Sequence, residues 1–525
     1  MTLGPLVDSG AHASRQPPVD FAVRQRWRLF AGGIALQLLL LSLDSAPFII
    51  GAGVSDFGLL RAGVSARGGL STAAAMASSG VSLPLSGGTT SGAALARTLS
   101  LVQPPRYGNP DAALNVWRMA PLHSGVEGEG NFGGVPYFVR AAPQPPFGDA
   151  ARVFVEDGGT GNRKAAAALV QRALTECGDG GVGIVVPTAD DLLQRPGGSA
   201  RAEAYGLGDA IFSVNLEDAA TSPYELVHAL LDLMHCVDDS HHPWTAFKDV
   251  KSENRALWAI AQKVESVDFF PGGIIVSNRF GLVPPFPTPP QLPFEETARA
   301  LAVLPDKVFG HTYSFSYELH LGRVRAAAQA RGGVVRLLEI GLGCGMTYGE
   351  GAGFPLWRAY FGVGVELSVL EFQSDCALAW GARKENSDVK VFAGDQCDRK
   401  LLRRIIAERG PFDVVIDDGA HSMRGQTAAI EAFFPSGLRP GGVLAIEDLF
   451  TSHSKPSHWQ DGPPRTVGLF AEIAEALVAR GPQFNHSVRA HLAGLRGARS
   501  IINSIVEKLA HLQCSAELCV LVRVQ

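Results

Sequence analysis

From about residue 150 to the carboxyl terminus, short apolar runs alternate with helical stretches and Gly- or Asp-rich turns, whereas the first 110 residues show no such rhythm. In the leading segment Arg24, Arg26 and Arg28 precede the mostly apolar block 29–43, which holds Leu38, Leu39, Leu40 and Leu41, the pattern of a secretory signal. Continued through Asp44 to Ile50, the block reaches about 22 residues, enough to span a bilayer but with a costly carboxylate inside it. A cleaved signal and a membrane anchor both fit, with a buried helix of a soluble domain as a third reading. From Phe57 to Pro110 there is no Asp or Glu, while Ser, Ala, Gly and Arg61, Arg67, Arg97 and Arg106 dominate, as in organelle transit peptides. Two addresses follow: a bipartite signal to a plastid reached through the secretory pathway, or a luminal stalk behind a single N-terminal membrane anchor. Residues 1–110 are accordingly set apart from fold reasoning.

The pattern then predicts a small α/β region over 111–283. Residues 151–155, 182–187 and 210–214 read as strands and 162–176 as a helix. Ser222 and Pro223 suit the N-cap and first turn of an apolar helix through Tyr224, Leu226, Leu230 and Met234. The following run from His235 to His242 crowds possible metal ligands but lacks the i, i+4 histidines or paired thiolates of a zinc site, so a solvated helix end is the preferred reading. Six prolines between 284 and 293 mark an extended linker, placed at 284–294. Beyond it, residues 295–525 read as strands at 334–340, up to 372, 389–393, 412–416, 442–446 and 519–524, the pattern of a seven-stranded, mostly parallel, Rossmann-like sheet.

Composition adds bounds. With 46% hydrophobic and 18% charged residues the chain is globular, and a net charge of −5 supplies no general attraction for nucleic acid or anionic membrane. The seven cysteines are widely spaced and odd in number, without a Cys-x-x-Cys pair, so they read as reduced core thiols; a bridge between Cys514 and Cys519 is the alternative.

The chemistry gathers where the predicted strands end. The first runs through Glu339 into Gly341, Gly343 and Gly345, small residues that permit a tight turn and close approach of a nucleotide-like ligand. Met346 occupies the third position of the dinucleotide fingerprint, whereas Glu-x-Gly-x-Gly-x-Gly suits S-adenosylmethionine. At the end of the second strand Glu371 is the choice for the ribose hydroxyls, with Glu366 as rival. After the third, Asp395 is placed either on an adenine amino group or in a turn-forming or helix-capping role. The fourth and fifth strands end in Asp418 and in Glu447-Asp448, three carboxylates able to surround a hard divalent cation such as Mg²⁺, unless they point to separate loops. His421, three residues past Asp418, is the candidate base, with a loop or cap histidine as the plainer reading.

Taken together, LPDKVFGHTY (304–313), LLEIGLGCGMTYGEGAG, GDQCD, VVIDDGAH and PGGVLAIEDLF resemble class I methyltransferases related to macrolide-sugar O-methyltransferases and to fungal proteins described as hard-surface induced, over about 300–525. The resemblance implies an S-adenosylmethionine-dependent enzyme in which Asp418, Glu447 and Asp448 hold Mg²⁺, His421 is the base and Glu371 the ribose ligand. It implies a small-molecule hydroxyl acceptor, a sugar or other diol, and leaves room for a homo-oligomer. The competing classes are a non-catalytic cofactor-binding scaffold tethered to a membrane, and a metal-dependent oxygenase-like relative. The latter is disfavoured because only one histidine stands near the acids, where nonhaem iron normally takes two.

Overall fold

The computed structural model describes residues 114–119, 126–132, 135–142, 153–156, 163–176, 182–185, 187–193, 222–235, 255–278 and 293–301, and residues 305–524 except 454–458, 460, 462–464, 482 and 496–499. The block at 29–50, the acid-free stretch at 57–110, the expected strand at 210–214, the ligand-rich residues 236–242 and prolines 284–290 lie outside the described residues. No described helix is long and apolar enough to cross a membrane.

Fourteen strands are described: β1 (Leu114–Met119), β2 (Val126–Phe132), β3 (Val135–Ala142), β4 (Val153–Glu156), β5 (Val182–Val185), β6 (Val264–Phe270), β7 (Gly273–Asn278), β8 (Val335–Ile340), β9 (Val365–Glu371), β10 (Val389–Ala393), β11 (Phe412–Asp417), β12 (Leu438–Ile446), β13 (Leu509–Ser515) and β14 (Leu518–Arg523). They form one sheet in the order β10-β9-β8-β11-β12-β14-β13-β6-β7-β5-β4-β1-β3-β2. The first seven strands of that order are the expected Rossmann-like unit. β8 to β12 pair in parallel, and β14 runs antiparallel between β12 and β13.

Alternate residues of its central strands feed two cores, as a parallel sheet covered on both faces requires. Leu337, Val414, Ile416, Val443 and Ala445 face a layer containing Tyr313, Tyr317, Leu321, Phe354 and Trp357. Leu338, Ile340, Val415, Leu444 and Ile446 face the opposite layer, with Phe433, Phe470 and Ile505. The helix Thr466–Val478 is almost wholly apolar, and every one of its residues but Glu472 is buried in that second layer.

The middle region does not stand apart from this sheet. β6 pairs antiparallel with β13, Leu512 opposite Phe269 and Cys514 opposite Val267, so the strands on either side of the proline-rich stretch share one hydrogen-bonded ladder. A buried polar seam lies across the same junction. Asp268 Oδ1 accepts from His511 Nε2 at 2.8 Å and from Gln513 Nε2 at 2.7 Å, while Ser266 donates to Asp268 Oδ2 at 2.7 Å. The large majority of buried polar groups are satisfied in this way. Upstream, the helix Arg163–Glu176 and β4 and β5 lie where the periodicity puts them, and Ser222 caps the helix Pro223–Met234 by accepting from Glu225 N at 3.2 Å. His235, at that helix's end, is buried rather than solvated.

The thiols differ from the expectation of reduced core cysteines. Cys514 and Cys519 are bridged, because the β13–β14 hairpin sets them directly opposite with Cα atoms 4.1 Å apart. Cys344 and Cys376, 32 residues apart in sequence, are also bridged, because β8 and β9 are neighbours and deliver the segments that follow them to one place. Among the described residues Cys397 is free.

Candidate functional site

The parallel register brings the carboxyl ends of β8, β9, β11 and β12 to one edge. Gly341 N donates to Leu370 O at 2.8 Å, Asp418 N to Ile340 O at 2.9 Å and Glu447 N to Asp417 O at 3.0 Å, so the chain leaves each strand at the same level. Gly341 turns with φ +98°, and a Cβ there would meet the Asp418 carbonyl oxygen at 2.0 Å. No side chain fits between the two loops. Gly343 and Gly345 are more open: a Cβ on Gly343 would touch Tyr348 at 3.3 Å, and one on Gly345 would come no closer than 3.7 Å, to Gln373.

Glu371 lies beside this turn. It is buried, its Oε2 accepting from Leu342 N at 2.9 Å and its Oε1 from Gln373 N at 2.8 Å. Glu366 is the second residue of the same strand, at the end away from the glycine turn, and pairs with Arg336 at 3.1 Å. Of the two rivals, only Glu371 shares the glycine edge. Asp395 is exposed and accepts from Cys397 N at 2.7 Å, the geometry of a turn former. Its neighbour Gln396, buried and unremarked in the sequence, ties the loops together by donating to Asp417 and accepting from Ala420 N at 2.8 Å. Glu339 faces inward, accepting from Trp357 Nε1 at 3.0 Å, and burial pushes its carboxyl up to about 7.

The acids do converge, around a cation that the sequence reading left without a role. Lys307, on the short helix Asp306–Phe309, is buried, and its Nζ donates to Asp418 Oδ2 and to Glu447 Oε2, both at 2.7 Å, with Glu339 Oε1 at 3.6 Å. Burial disfavours the ammonium, but the charges of Asp418, Glu447 and Glu339 outweigh it and hold Lys307 firmly protonated. The Tyr317 hydroxyl also donates to Glu447. Even with Lys307 in place, burial keeps the carboxyls of Asp418 and Glu447 above their usual range. The cluster is still short of positive charge.

Asp448 has different company. Tyr313 donates its hydroxyl to Oδ1 at 2.9 Å, His421 Nε2 lies 3.3 Å from Oδ2, and His311 Nε2 lies 3.8 Å from Oδ1. Burial would raise this carboxyl, but the charges of His421 and His311 outweigh it and hold Asp448 low. His421 and Asp448 both take left-handed backbone, at φ +50° and +56°, conformations that cost non-glycine residues energy and collect at functional sites. His421 Nδ1 is buried and has no hydrogen-bond partner.

One ligand atom from each of Asp418, His421 and Asp448 lies within 4.8 Å of the others, so the two carboxylates are close enough to share a divalent ion beside the imidazole. The expected set was Asp418, Glu447 and Asp448. Of these, Glu447 has its two oxygens engaged by Lys307 and Tyr317, and Asp448 has its two engaged by Tyr313 and His421. The structure also places a second histidine at Asp448, which bears on the oxygenase reading. His311 Nδ1 is 2.7 Å from Glu517 Oε2, and His311, Glu517 and Asp448 form a second group with ligand atoms within 4.8 Å of one another. Burial lowers the basicity of His311, but the hydrogen bond to Glu517 and the charges of Asp448, Glu517 and Glu447 outweigh burial and raise its pKa to about 9. Lys307, His311, Tyr313 and Tyr317 all reach the acids from the segment 305–317. In the sequence this segment is marked by the LPDKVFGHTY stretch that carries part of the family resemblance, with no apolar periodicity and no role assigned to its residues.

No protein-family model matches the chain. Curated proteins do. L-Olivosyl-oleandolide 3-O-methyltransferase of Streptomyces antibioticus is 37% identical over 147 residues, 27% of this chain and 34% of that protein. Mycinamicin VI 2''-O-methyltransferase of Micromonospora griseorubida is 30% identical over 172 residues, 32% of this chain and 39% of that protein. The similarity is to sugar O-methyltransferases. The chain spans about a third of the length of the first of these relatives. Among solved structures, MycE methyltransferase in complex with Mg and SAH aligns at 22% identity over 44% of this chain and 55% of that one, with a TM-score of 0.32. An O-methyltransferase from Bacillus cereus in complex with SAH aligns at 18% identity over 46% and 93%, with a TM-score of 0.22.

Proposed function

We propose that the site transfers a methyl group from S-adenosylmethionine to a hydroxyl of a sugar or related small diol, in a reaction that depends on a divalent cation. The observation that carries this reading is the meeting, at one sheet edge, of the glycine turn with Glu371 on one side and the acid cluster with His421 on the other. S-adenosylmethionine supplies the electrophilic methyl, and a hard cation held by Asp418 and Asp448 would lower the pKa of the acceptor hydroxyl. The donor set fits such an ion, because the acids outnumber the buried ammonium and ligand atoms of Asp418 and Asp448 lie within 4.8 Å of each other.

The chain's own residues account for the remaining requirements. Glu371, fixed by two backbone amides, is placed to accept from ribose hydroxyls. Gly341, Gly343 and Gly345 leave room for the cofactor's backbone to approach. His421, its Nε2 3.3 Å from Asp448 Oδ2, is the group placed to take the acceptor's proton; Asp448 orients the ring and stabilises the charge it gains. Lys307 and Tyr317 hold Glu447 in place. The sugar-methylating relatives support the choice of acceptor class.

The test is transfer of labelled methyl from S-adenosylmethionine to a panel of deoxysugar glycosides, with Mg²⁺ and with a chelator. The expected result is methyl ether formation that stops when the metal is withdrawn. Labelling that is indifferent to chelation would overturn the metal part of the proposal, and absence of labelling across the panel would overturn the acceptor class.

A further inference from the structure

The glycine turn and the Glu371 corner are joined by a covalent bond that methyl transfer does not require. Cys344, between Gly343 and Gly345, is bridged to Cys376 on the helix Ser374–Gly381, which begins three residues after Glu371. Weaker ties run the same way: Gln373 Nε2 donates to Cys344 O at 2.9 Å, and Leu342 N donates to Glu371 Oε2 at 2.9 Å. The bridge thus fastens the two halves of the cofactor-binding edge to each other.

Two features make this bond one whose loss matters. Six of the thirteen residues from 341 to 353 are glycine, so the segment has much conformational entropy to lose on ordering and few side chains to hold it. Leu342 anchors its start in the core, but beyond it Met346 and Tyr348 are 52% and 46% exposed and contribute little packing. The bond is also reachable. Cys344 and Cys376 are both partly exposed, whereas Cys514 and Cys519 are each 0% exposed. A reductant therefore meets the cofactor-edge bridge first.

We propose that the Cys344–Cys376 disulfide is a thiol-exchange site through which a protein or small-molecule dithiol regulates cofactor binding. A thiolate of the dithiol attacks one sulfur of the bridge, forming a mixed disulfide and releasing the other cysteine as thiolate. The second thiol of the reductant then displaces the first cysteine. The reductant leaves as its own disulfide, having supplied two electrons, and Cys344 and Cys376 each take up one proton. Reduction frees the glycine segment from the Glu371 corner, and the cofactor must then reorder it on binding. By linkage, bound cofactor makes the bridge correspondingly harder to reduce.

This proposal rests on the cofactor reading above, and the experiment separates the two. S-adenosylhomocysteine is titrated calorimetrically into the full chain, oxidised and after mild dithiol treatment, with alkylation and mass mapping to show which cysteines are free. The expected result is a Kd weaker by roughly 5- to 150-fold on reduction, the usual span of coupling between two sites. Cys344→Ser/Cys376→Ser should bind like the reduced protein and ignore the reductant, while Cys397→Ser should behave as wild type. Saturating S-adenosylhomocysteine should shift the reduction midpoint of the bridge to more negative potential by about 30 mV for each tenfold change in Kd. Equal affinity in the oxidised and reduced forms would overturn the switch and leave the cofactor site standing. Absence of binding in both forms would overturn the two together.

Discussion

Replacing Lys307 by Met removes the ammonium and keeps most of the volume of the side chain. In the wild type the ammonium lies 2.7 Å from Asp418 and from Glu447, and 3.6 Å from Glu339, in a buried setting. Deleting one partner of a buried charge pair typically costs about 3–5 kcal/mol, because the surviving charges are left uncompensated. For a domain of 150–250 residues, where about 1 kcal/mol moves Tm by 2–4 °C, that is a fall of about 6–20 °C at pH 7. The sign with pH follows from the carboxyls. Already raised beside Lys307, their folded-state pKa values rise further without it, and the stability carried by a group of raised pKa is present at low pH and lost as pH climbs through that value. The deficit should therefore be large at pH 7 and shrink towards pH 5. Denaturant unfolding of both proteins at these two pH values measures it. A deficit under about 1 kcal/mol at pH 7, or one that grows on acidification, would refute the assignment of Lys307 as the internal counter-charge.

Three further outcomes are expected. Gly343→Val places a branched side chain at φ +76° on the open face of the turn and should abolish S-adenosylmethionine binding in a folded protein; unchanged affinity by calorimetry would remove the glycine turn from the site. Asp418→Asn should weaken Mg²⁺ binding, whereas His421→Ala should keep Mg²⁺ and S-adenosylmethionine yet slow methyl transfer by about 10²- to 10⁴-fold, with partial recovery at high pH; loss of metal affinity in His421→Ala would make the histidine a ligand rather than the base. His311, raised from 6.5 to about 9, contributes stability that is fully present below about pH 6.5 and lost as pH rises through 9. On the order of 3 kcal/mol is at stake. His311→Gln should flatten that part of the stability profile, and parallel wild-type and variant profiles would contradict the pairing with Glu517.

The strand-end chemistry was legible because buried parallel strands announce themselves as apolar runs. Val335–Ile340, Val389–Ala393 and Phe412–Asp417 fall within a residue or two of where the pattern puts them. Glu371, Asp418, Glu447 and Asp448 stand at the ends of such runs, so sequence position alone carries them to one edge. What the pattern did not reveal depends on contacts distant in sequence. The β6–β7 hairpin turns at Pro271-Gly272, a clear local signal, yet its pairing with β13 joins residues more than 240 apart. The same holds for Lys307, which meets Glu447 across 140 residues. A lysine in a short helix reads as a surface group until its carboxylate partners are known. Cys344 and Cys376 were missed as a pair for a related reason: their closeness comes from β8 lying beside β9, not from any spacing of thiols.

The most direct test of the central claim is a calorimetric titration of S-adenosylmethionine into the full-length oxidised protein, run with Mg²⁺ and with a chelator and repeated on Glu371→Ala. The account predicts one cofactor bound per chain in the wild type, and binding weakened in Glu371→Ala, because the hydrogen bonds that the ribose hydroxyls donate to the carboxylate, each worth about 1.5–3 kcal/mol, are lost. A wild-type protein that binds no S-adenosylmethionine under either condition, or a Glu371→Ala variant that binds it as tightly as the wild type, would contradict it.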